Sequence, residues 1–386
     1  MHFTLTIIEK HLGVLGGHHQ TQLASIEALC SRHIINVITS HDTNIAQYEN
    51  FEIEPILSSA REQRKRHKWA VEHDVDALEK LAKSKIKLAN SPALFPTAEY
   101  YDFKMCLAFL ARNPNTFKFY LRVLICETID LLSGPERAKL LQYVKAGSIT
   151  LLTETKSLVE LLHTKHDLTA HNVFLLPCSI SPNDSVQRYE TDNRSYFKIG
   201  YLGGFRKEKG SDKLPAILSD LKALINSSDN ITKLEFVMQK GKHRSGLKRL
   251  LYDFRLHKSI YNSKEPDREI KLITLGKELS PKAFVAAIKS VDILLIPYEL
   301  EAYHARGSGI IIDGVLAGKP IIYSDGIGMS EFLGFGNAAT AADIAEFAPK
   351  IMTMVQNFEA YRAKTPLARE AMRAQIQKSA DFLASL

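Results

Sequence analysis

Three stretches of the 386-residue sequence carry residue types suited to holding a phosphate-bearing ligand. The first is Ile199-Gly200-Tyr201-Leu202-Gly203-Gly204-Phe205-Arg206-Lys207-Glu208-Lys209-Gly210. Glycine at the end of a strand lets the backbone turn sharply and lets a bulky anion come close. The helix that follows offers unpaired N–H groups and the positive end of its dipole. Arg206 and Lys209 add charge there, and arginine can hold two phosphate oxygens at once. A tight strand-to-helix turn with solvated cations is the competing reading. The second stretch, Gln239-Lys240-Gly241-Lys242, follows the next strand of the same unit. Loops at strand ends in such a sheet share one crevice, so Lys240 or Lys242 would face an anion held by Arg206 and Lys209. The third runs from Pro297-Tyr298 through Tyr303-His304-Ala305-Arg306-Gly307-Ser308-Gly309 into an apolar helix. Ser308 is a good cap, and the Gly309 backbone can donate to an anion approached by Tyr303 and Arg306. Asp313 lies one turn into that helix among Ile311, Ile312, Val315 and Leu316. A carboxylate there is costly without a partner, and a ribose or sugar hydroxyl would supply one; an outward-facing acid is the alternative.

A second set of candidates sits near the start of the chain, at Gly16-Gly17-His18-His19. Histidine shuttles protons near neutral pH, so His18 or His19 is a candidate acid–base group at a helix start. Helix capping or simple solvation explains two adjacent histidines equally well. Arg122 and Glu127 are weaker candidates. The one Asp-x-Asp, Asp74-Val75-Asp76, falls inside a charged helical segment, where a solvated face explains it better than a metal site.

The elements that must position these residues alternate. Residues 3–8 and 34–39 predict strands, with helical spacing between them at Leu23, Ile26, Ala28 and Leu29. Residues 59–88 predict one long charged helix, and 119–126, 148–153 and 172–176 further strands. The pattern restarts with strands at 197–202, 234–239, 271–275, 292–297 and 320–324, and helices at about 213–225, 281–290 and 309–317, with helices from 341 onward. Alternating strand–helix units in both halves predict an α/β protein of two facing Rossmann-like domains with a cleft between them. The expected boundaries are a first domain over 1–180, a polar, turn-rich linker over 181–196, a second domain over 197–365, and a final helix over 366–386 that can return to the first domain.

The run from Gly200 to Gly210, the strand ending at Pro297, Asp313-Gly314-Val315-Leu316-Ala317-Gly318-Lys319-Pro320 and Gly328-Met329-Ser330-Glu331 together resemble the donor half of family 4 glycosyltransferases. Those are retaining enzymes of the GT-B fold, whose patterns read G-R-x-x-x-x-K-G, P-S-x-x-E-G-F-G, E-A-x-A-x-G-x-P and G-G-x-x-E. The resemblance covers residues 197–335 well and extends weakly to the Gly16-Gly17 loop. It implies transfer of a sugar, of hexosyl type, from a nucleotide-diphosphate donor without an obligatory metal or other cofactor. Arg206, Lys209 and the helix start at Ser308 and Gly309 would stabilise the leaving diphosphate, Asp313 would hold the ribose, and Glu331 would lie near the donor. Gly16, Gly17, Gly204, Lys240, Tyr303 and Arg306 complete the implied donor set, and the first domain would bind the acceptor. The sequence also departs from the pattern. Gly204 stands at the family's arginine position, so Arg206 must substitute for it. Ala305 and Asp313 stand where the family has two glutamates.

Composition narrows the remaining classes. The chain carries 50 Lys+Arg against 43 Asp+Glu, a net +7, and is 45% hydrophobic, so disorder and fibrous classes are excluded. Much of the excess is local: residues 201–250 hold 11 basic and 5 acidic side chains. These lie in strand-to-helix loops rather than on an aromatic-studded face, so nucleic acid is not an expected partner. Cys30, Cys106, Cys126 and Cys178 show no metal-ligand or disulfide spacing. With no signal-like or membrane-spanning run, the expected location is cytoplasmic. The basic segment Arg61–Lys68 with Trp69 would suit peripheral contact with an anionic membrane and a lipid-linked acceptor, against the simpler reading of a solvated helix face. The leading reading is therefore a glycosyltransferase for polysaccharide or glycolipid assembly, with a glycan or lipid-linked acceptor. The alternatives are a non-catalytic nucleotide-sugar-binding protein and a GT-B-fold epimerase or phosphorylase.

Overall fold

Apolar, β-branched runs such as residues 5–8 and Ile293–Ile296 are buried on both faces, as strands flanked by helices require. The computed structural model describes residues 3–12, 19–30, 33–44, 51–84, 91–114, 116–185, 196–227, 233–239, 270–276 and 279–386. Its strands are β1 (Phe3–Ile8), β2 (His33–Ser40), β3 (Glu52–Leu57), β4 (Pro92–Ala98), β5 (Lys118–Val123), β6 (Ile149–Leu152), β7 (Ala170–His171), β8 (Tyr196–Tyr201), β9 (Lys233–Gln239), β10 (Ile270–Leu275), β11 (Ile293–Ile296), β12 (Ile321–Ser324) and β13 (Ala338–Ala341). They form two sheets in which every pairing is parallel, ordered β3-β2-β1-β4-β5-β6-β7 and β10-β9-β8-β11-β12-β13. The strand order reverses at β1/β4 in one sheet and at β8/β11 in the other. Those are the points where an open α/β sheet leaves a ligand crevice beyond its strand ends.

The chain divides into two compact units, Met1–Cys178 with Gln375–Leu386, and Ser179–Ala374. In the first, Leu5, Ile7, Val37, Leu94 and Phe174 pack with Leu383 from the last helix, Thr365–Ala384. That helix also supplies Ser379, whose Oγ accepts the Leu175 N–H at 2.9 Å. In the second, Ile199, Phe236, Ile293 and Leu295 pack against Leu218 and Leu221 of helix Leu214–Asn226 and Phe347 and Ile351 of helix Ile344–Gln356.

Three strands escape sequence patterning, for separate reasons. β3 contains Pro55, tolerated because the strand lies at a sheet edge. β4 is central but begins at Pro92 and carries Pro96 at a register irregularity between Phe95 and Ala98. β13, Ala-Ala-Thr-Ala, has little β-branched character and also lies at an edge. The strand expected over 172–176 is instead the short β7, because the Leu175 amide is taken by Ser379. The expected long helix over 59–88 is two, Ala60–Lys65 and His67–Ser84, broken at Arg66 (φ −135°) and started by a Ser59/Glu62 capping box. Its basic residues Arg61, Arg64, Lys65, Arg66 and Lys68 are exposed, as is Trp69. Asp74 is not on a solvated face. It is buried and accepts the Ser58 N–H at 2.7 Å and the Tyr101 hydroxyl at 2.5 Å, while Asp76 pairs with Arg112 at the surface. No described helix is long and apolar enough to cross a membrane.

Candidate functional site

At the β8/β11 reversal, two loops leave adjacent strands together. After β8 the chain forms a 3-10 turn, Lys207–Lys209, closed by Lys209 N–H to the Arg206 carbonyl and Gly210 N–H to the Lys207 carbonyl. Gly210 has φ +76°, and a Cβ there would stand 1.9 Å from the Pro297 carbonyl oxygen, so only glycine admits this approach of the two loops. Glu299 N–H donates to the Glu208 carbonyl at 3.0 Å, and Lys213 Nζ reaches the Tyr298 carbonyl and the Glu299 carboxylate. The β8 and β11 loops are thus locked edge to edge.

Between them lie two buried tyrosines ringed by cations. Tyr298 and Tyr303 pack with ring centroids 4.2 Å apart. Lys209 Nζ lies 5.5 Å from the Tyr298 centroid, Arg306 lies 5.3 Å from that of Tyr303, and Arg206 Nη2 donates to the Tyr303 hydroxyl at 3.4 Å. Glu208 pairs with Arg206 at 3.1 Å. Among the described residues no carboxylate pairs with Lys209 or Arg306. Burial holds the Lys209 ammonium below its ordinary pKa, and the Arg206 and Arg306 guanidiniums add to that depression. Three cations with one facing carboxylate favour an anion between them.

Helix Gly309–Leu316 begins beside this group. Ser308 occupies the cap position, but its hydroxyl meets the Tyr298 hydroxyl at 3.3 Å instead of capping the helix. Burial pushes the Tyr298 phenol up to about 12, so it stays neutral. The Ser308 N–H points to Met329 Sδ at 3.0 Å, while the Gly309 and Ile310 amides have no hydrogen-bond partner among the described residues. Unpartnered first-turn amides are the donors an anion meets at a helix start. Met329 itself takes a left-handed conformation, φ +70°. A Cβ on Gly328 would stand 2.8 Å from the Arg306 carbonyl oxygen, so glycine fits here because the backbones touch. Glu331 follows, half-buried, with Oε1 shielded from solvent and without a hydrogen-bond partner.

Asp313, one turn into that helix, has partners in the polypeptide. Its Oδ1 accepts the backbone N–H groups of Ser179 and Ile180 at 2.8 and 2.9 Å, and burial still pushes its carboxyl up to about 6. The polypeptide itself offsets part of the cost of a carboxylate in an apolar helix. Gly204 is exposed beside the Arg206 side chain. Ala305 is buried. Gly16, Gly17, His18 and Lys240 lie outside the described residues.

In the first unit, the β1/β4 reversal carries a second polar cluster. Glu9, just past β1, is buried, and its Oε1 lies 3.2 Å from His19 Nδ1 and accepts the His11 N–H at 3.0 Å. Burial works to raise the Glu9 carboxyl, but His19 and His11 hold it below the usual carboxylate range. His11 Nε2 meets Glu99, the residue after β4, at 3.3 Å, and this hydrogen bond holds the Glu99 carboxyl down at about 2. Lys10 Nζ bridges Glu99 and buried Asp102 at 3.2 and 2.9 Å. Adjacency of β1 and β4 brings residues 90 positions apart in sequence together, which is why Glu9, Lys10, His11, Glu99 and Asp102 were not legible as a group. Arg122 is buried against the Pro96 carbonyl and Glu154, a structural pairing, and Glu127 is exposed.

Two all-parallel sheets with helices, each ordered as a doubly wound Rossmann-like unit, define the GT-B class of glycosyltransferase folds. Solved structures agree. The chain is similar to a glycosyltransferase from Rickettsia africae (TM-score 0.68, 11% identity, 98% of this chain and 96% of that one). It is also similar to sucrose-phosphate synthase from Thermosynechococcus elongatus (0.65, 12%, 99% and 98%) and to Anabaena HepE in complex with UDP (0.65, 15%, 100% and 100%). No family model matches the chain, and no curated protein matches it in sequence.

Proposed function

We propose that this protein is a glycosyltransferase that takes a sugar from a nucleotide-diphosphate donor. One observation carries the reading: Arg206, Lys209 and Arg306 surround two packed tyrosines at the β8/β11 reversal, beside a helix start with open amides. When a sugar–phosphate bond breaks heterolytically, negative charge grows on the departing phosphate oxygen. Fixed cations and N–H donors aimed there stabilise the transition state more than the ground state. In this reading Arg206, Lys209 and Arg306 hold the diphosphate, Gly309 and Ile310 cap it, and no metal is obligatory. Glu331, with its unpartnered oxygen, faces the donor sugar. Asp313 acts through the backbone of Ser179 and Ile180 as a positioning residue.

His19 is the acid–base candidate, with Glu9 fixing its ring. The acceptor is a glycan or lipid-linked saccharide, and transfer proceeds with retention; both rest on the sequence resemblance. The similarity to HepE solved with UDP supports a nucleoside-diphosphate ligand.

A second reading is favoured by one residue. Ala305 is buried at 5% exposure where the resembled family has a glutamate near the sugar, which suits a nucleotide-sugar-binding protein without turnover. Incubation with a panel of nucleotide sugars, following release of nucleoside diphosphate, separates the two. Release that is lost in Arg206→Ala/Lys209→Ala supports transfer, and tight binding without release in the presence of candidate acceptors supports the binding protein. Absence of binding to any nucleoside diphosphate rules out both.

A further inference from the structure

The first unit holds a donor set that neither the donor site nor the Glu9–His19 cluster uses. Cys126 immediately precedes the short helix Glu127–Asp130, which ends at Asp130; His166 ends helix Lys156–His166. One ligand atom from each of Cys126, Asp130 and His166 lies within 4.8 Å of the others. Asp130 Oδ1 is 3.2 Å from His166 Nε2. The His166 side chain is only 9% exposed, and its Nε2 is shielded from solvent without a satisfied hydrogen bond. Cys126 is buried at 2% exposure.

We propose that Cys126, Asp130 and His166 form a site for a zinc-type divalent transition-metal ion, with water completing a tetrahedron. Thiolate, imidazole and carboxylate are the ligand types zinc takes. With metal–ligand bonds of that kind, donor atoms stand roughly 3.3–3.8 Å apart. The oxygen–nitrogen pair, at 3.2 Å, lies just short of this spacing, and the other separations, at most 4.8 Å, exceed its upper end by no more than about 1 Å. Burial lowers the His166 pKa, which favours the neutral imidazole that binds metal. Burial also pushes the Cys126 thiol up to about 11, so that without a cation the sulfur stays protonated and is no nucleophile. On binding, the thiol gives its proton to solvent and the sulfur binds the ion.

Asp130 is arranged as a ligand with outer support. Its Oδ2 accepts from Lys165 Nζ at 2.7 Å, leaving Oδ1 turned toward His166. Arg137 Nη1 donates to the Asp130 and Leu132 carbonyls at 3.2 and 2.7 Å, fixing the short helix that carries the carboxylate. Outer hydrogen bonds of this kind orient metal ligands. The bound ion would tie the turn after β5 to the end of the helix after β6.

The test uses the full chain, stripped with EDTA and exchanged into metal-free buffer, then titrated with Co²⁺ and Zn²⁺. The expected result is one Co²⁺ per chain with a sulfur-to-cobalt charge-transfer band and tetrahedral d–d bands, displaced by Zn²⁺, and a higher Tm with Zn²⁺. Cys126→Ser should abolish the band. His166→Gln and Asp130→Asn should weaken binding by about 10-fold or more, while Cys178→Ala should leave the band intact. Far-UV circular dichroism identifies variants that keep the fold, and His166→Gln decides the matter if Cys126→Ser does not fold. The site is overturned by absence of binding, by Co²⁺ binding without a thiolate band, or by Zn²⁺ affinity and Tm rise that are undiminished in His166→Gln.

Discussion

The ammonium of Lys209 stands 5.5 Å from the ring of Tyr298, and that tyrosine's hydroxyl meets Ser308 at the start of the next helix. The lysine, the arginines at 206 and 306 and the helix amides therefore belong to one assembly built from two neighbouring loops. Charge-assisted hydrogen bonds contribute about 1.5–3 kcal/mol each, so removing two cations should weaken nucleoside-diphosphate binding by at least ~100-fold. Calorimetry on Arg206→Ala/Lys209→Ala, with circular dichroism to verify the fold, measures this.

The interlock between the loops rests on Gly210. In Gly210→Ala the added methyl meets the Pro297 carbonyl in a backbone conformation that disfavours any side chain. Loss of about 1–3 kcal/mol in a denaturant titration is expected, together with weaker donor binding although no ligand-facing side chain has changed.

Asp313 makes stability fall with rising pH. Its carboxyl titrates at about 6 in the folded protein against 3.8 when unfolded, so between those values the folded state holds the proton more tightly. Its contribution is full below pH 3.8 and is lost as pH rises through 6, amounting to about 3 kcal/mol. Asp313→Asn keeps an oxygen for the Ser179 and Ile180 amides and should flatten that part of the profile. Asp313→Ala should instead destabilise at every pH, since it leaves those amides unpaired.

His19 and Glu9 should separate catalysis from binding. A positioned acid–base group contributes about 10²–10⁴-fold to rate. His19→Gln is expected to lower kcat on that scale while nucleoside-diphosphate affinity stays at the wild-type value. Glu9→Gln should lower kcat less, because the ring loses the carboxylate oxygen that stands 3.2 Å from its Nδ1. A variant of His19 with unchanged kcat would falsify the acid–base role.

The fold was largely legible because both halves repeat the strand–loop–helix pattern with apolar, β-branched strands; residues 3–8 and 281–290 appear with the expected limits. Prolines at 55, 92 and 96 hid two strands whose edge position or register irregularity tolerates them. Within the cationic cluster at the β8/β11 reversal, Arg206, Lys209, Tyr303, Arg306 and Ser308 were visible because loops at strand ends are short and local. The backbone partners of Asp313 were not, since they lie 133 and 134 residues away. The Glu9–Glu99 cluster and the Cys126–Asp130–His166 set were hidden for the same reason. Each is assembled by strand adjacency or helix packing and leaves no fixed sequence spacing.

The place of Leu383 and Ser379 in the first unit has a consequence for synthesis. The unit encoded first cannot bury Leu5, Val37 and Phe174 fully until residues 375–386 exist, after the whole of residues 179–374 has been made. During translation the second unit has all its own residues first, while the first waits with part of its apolar interior uncovered. The order of completion is then the reverse of the usual N-terminal-first sequence.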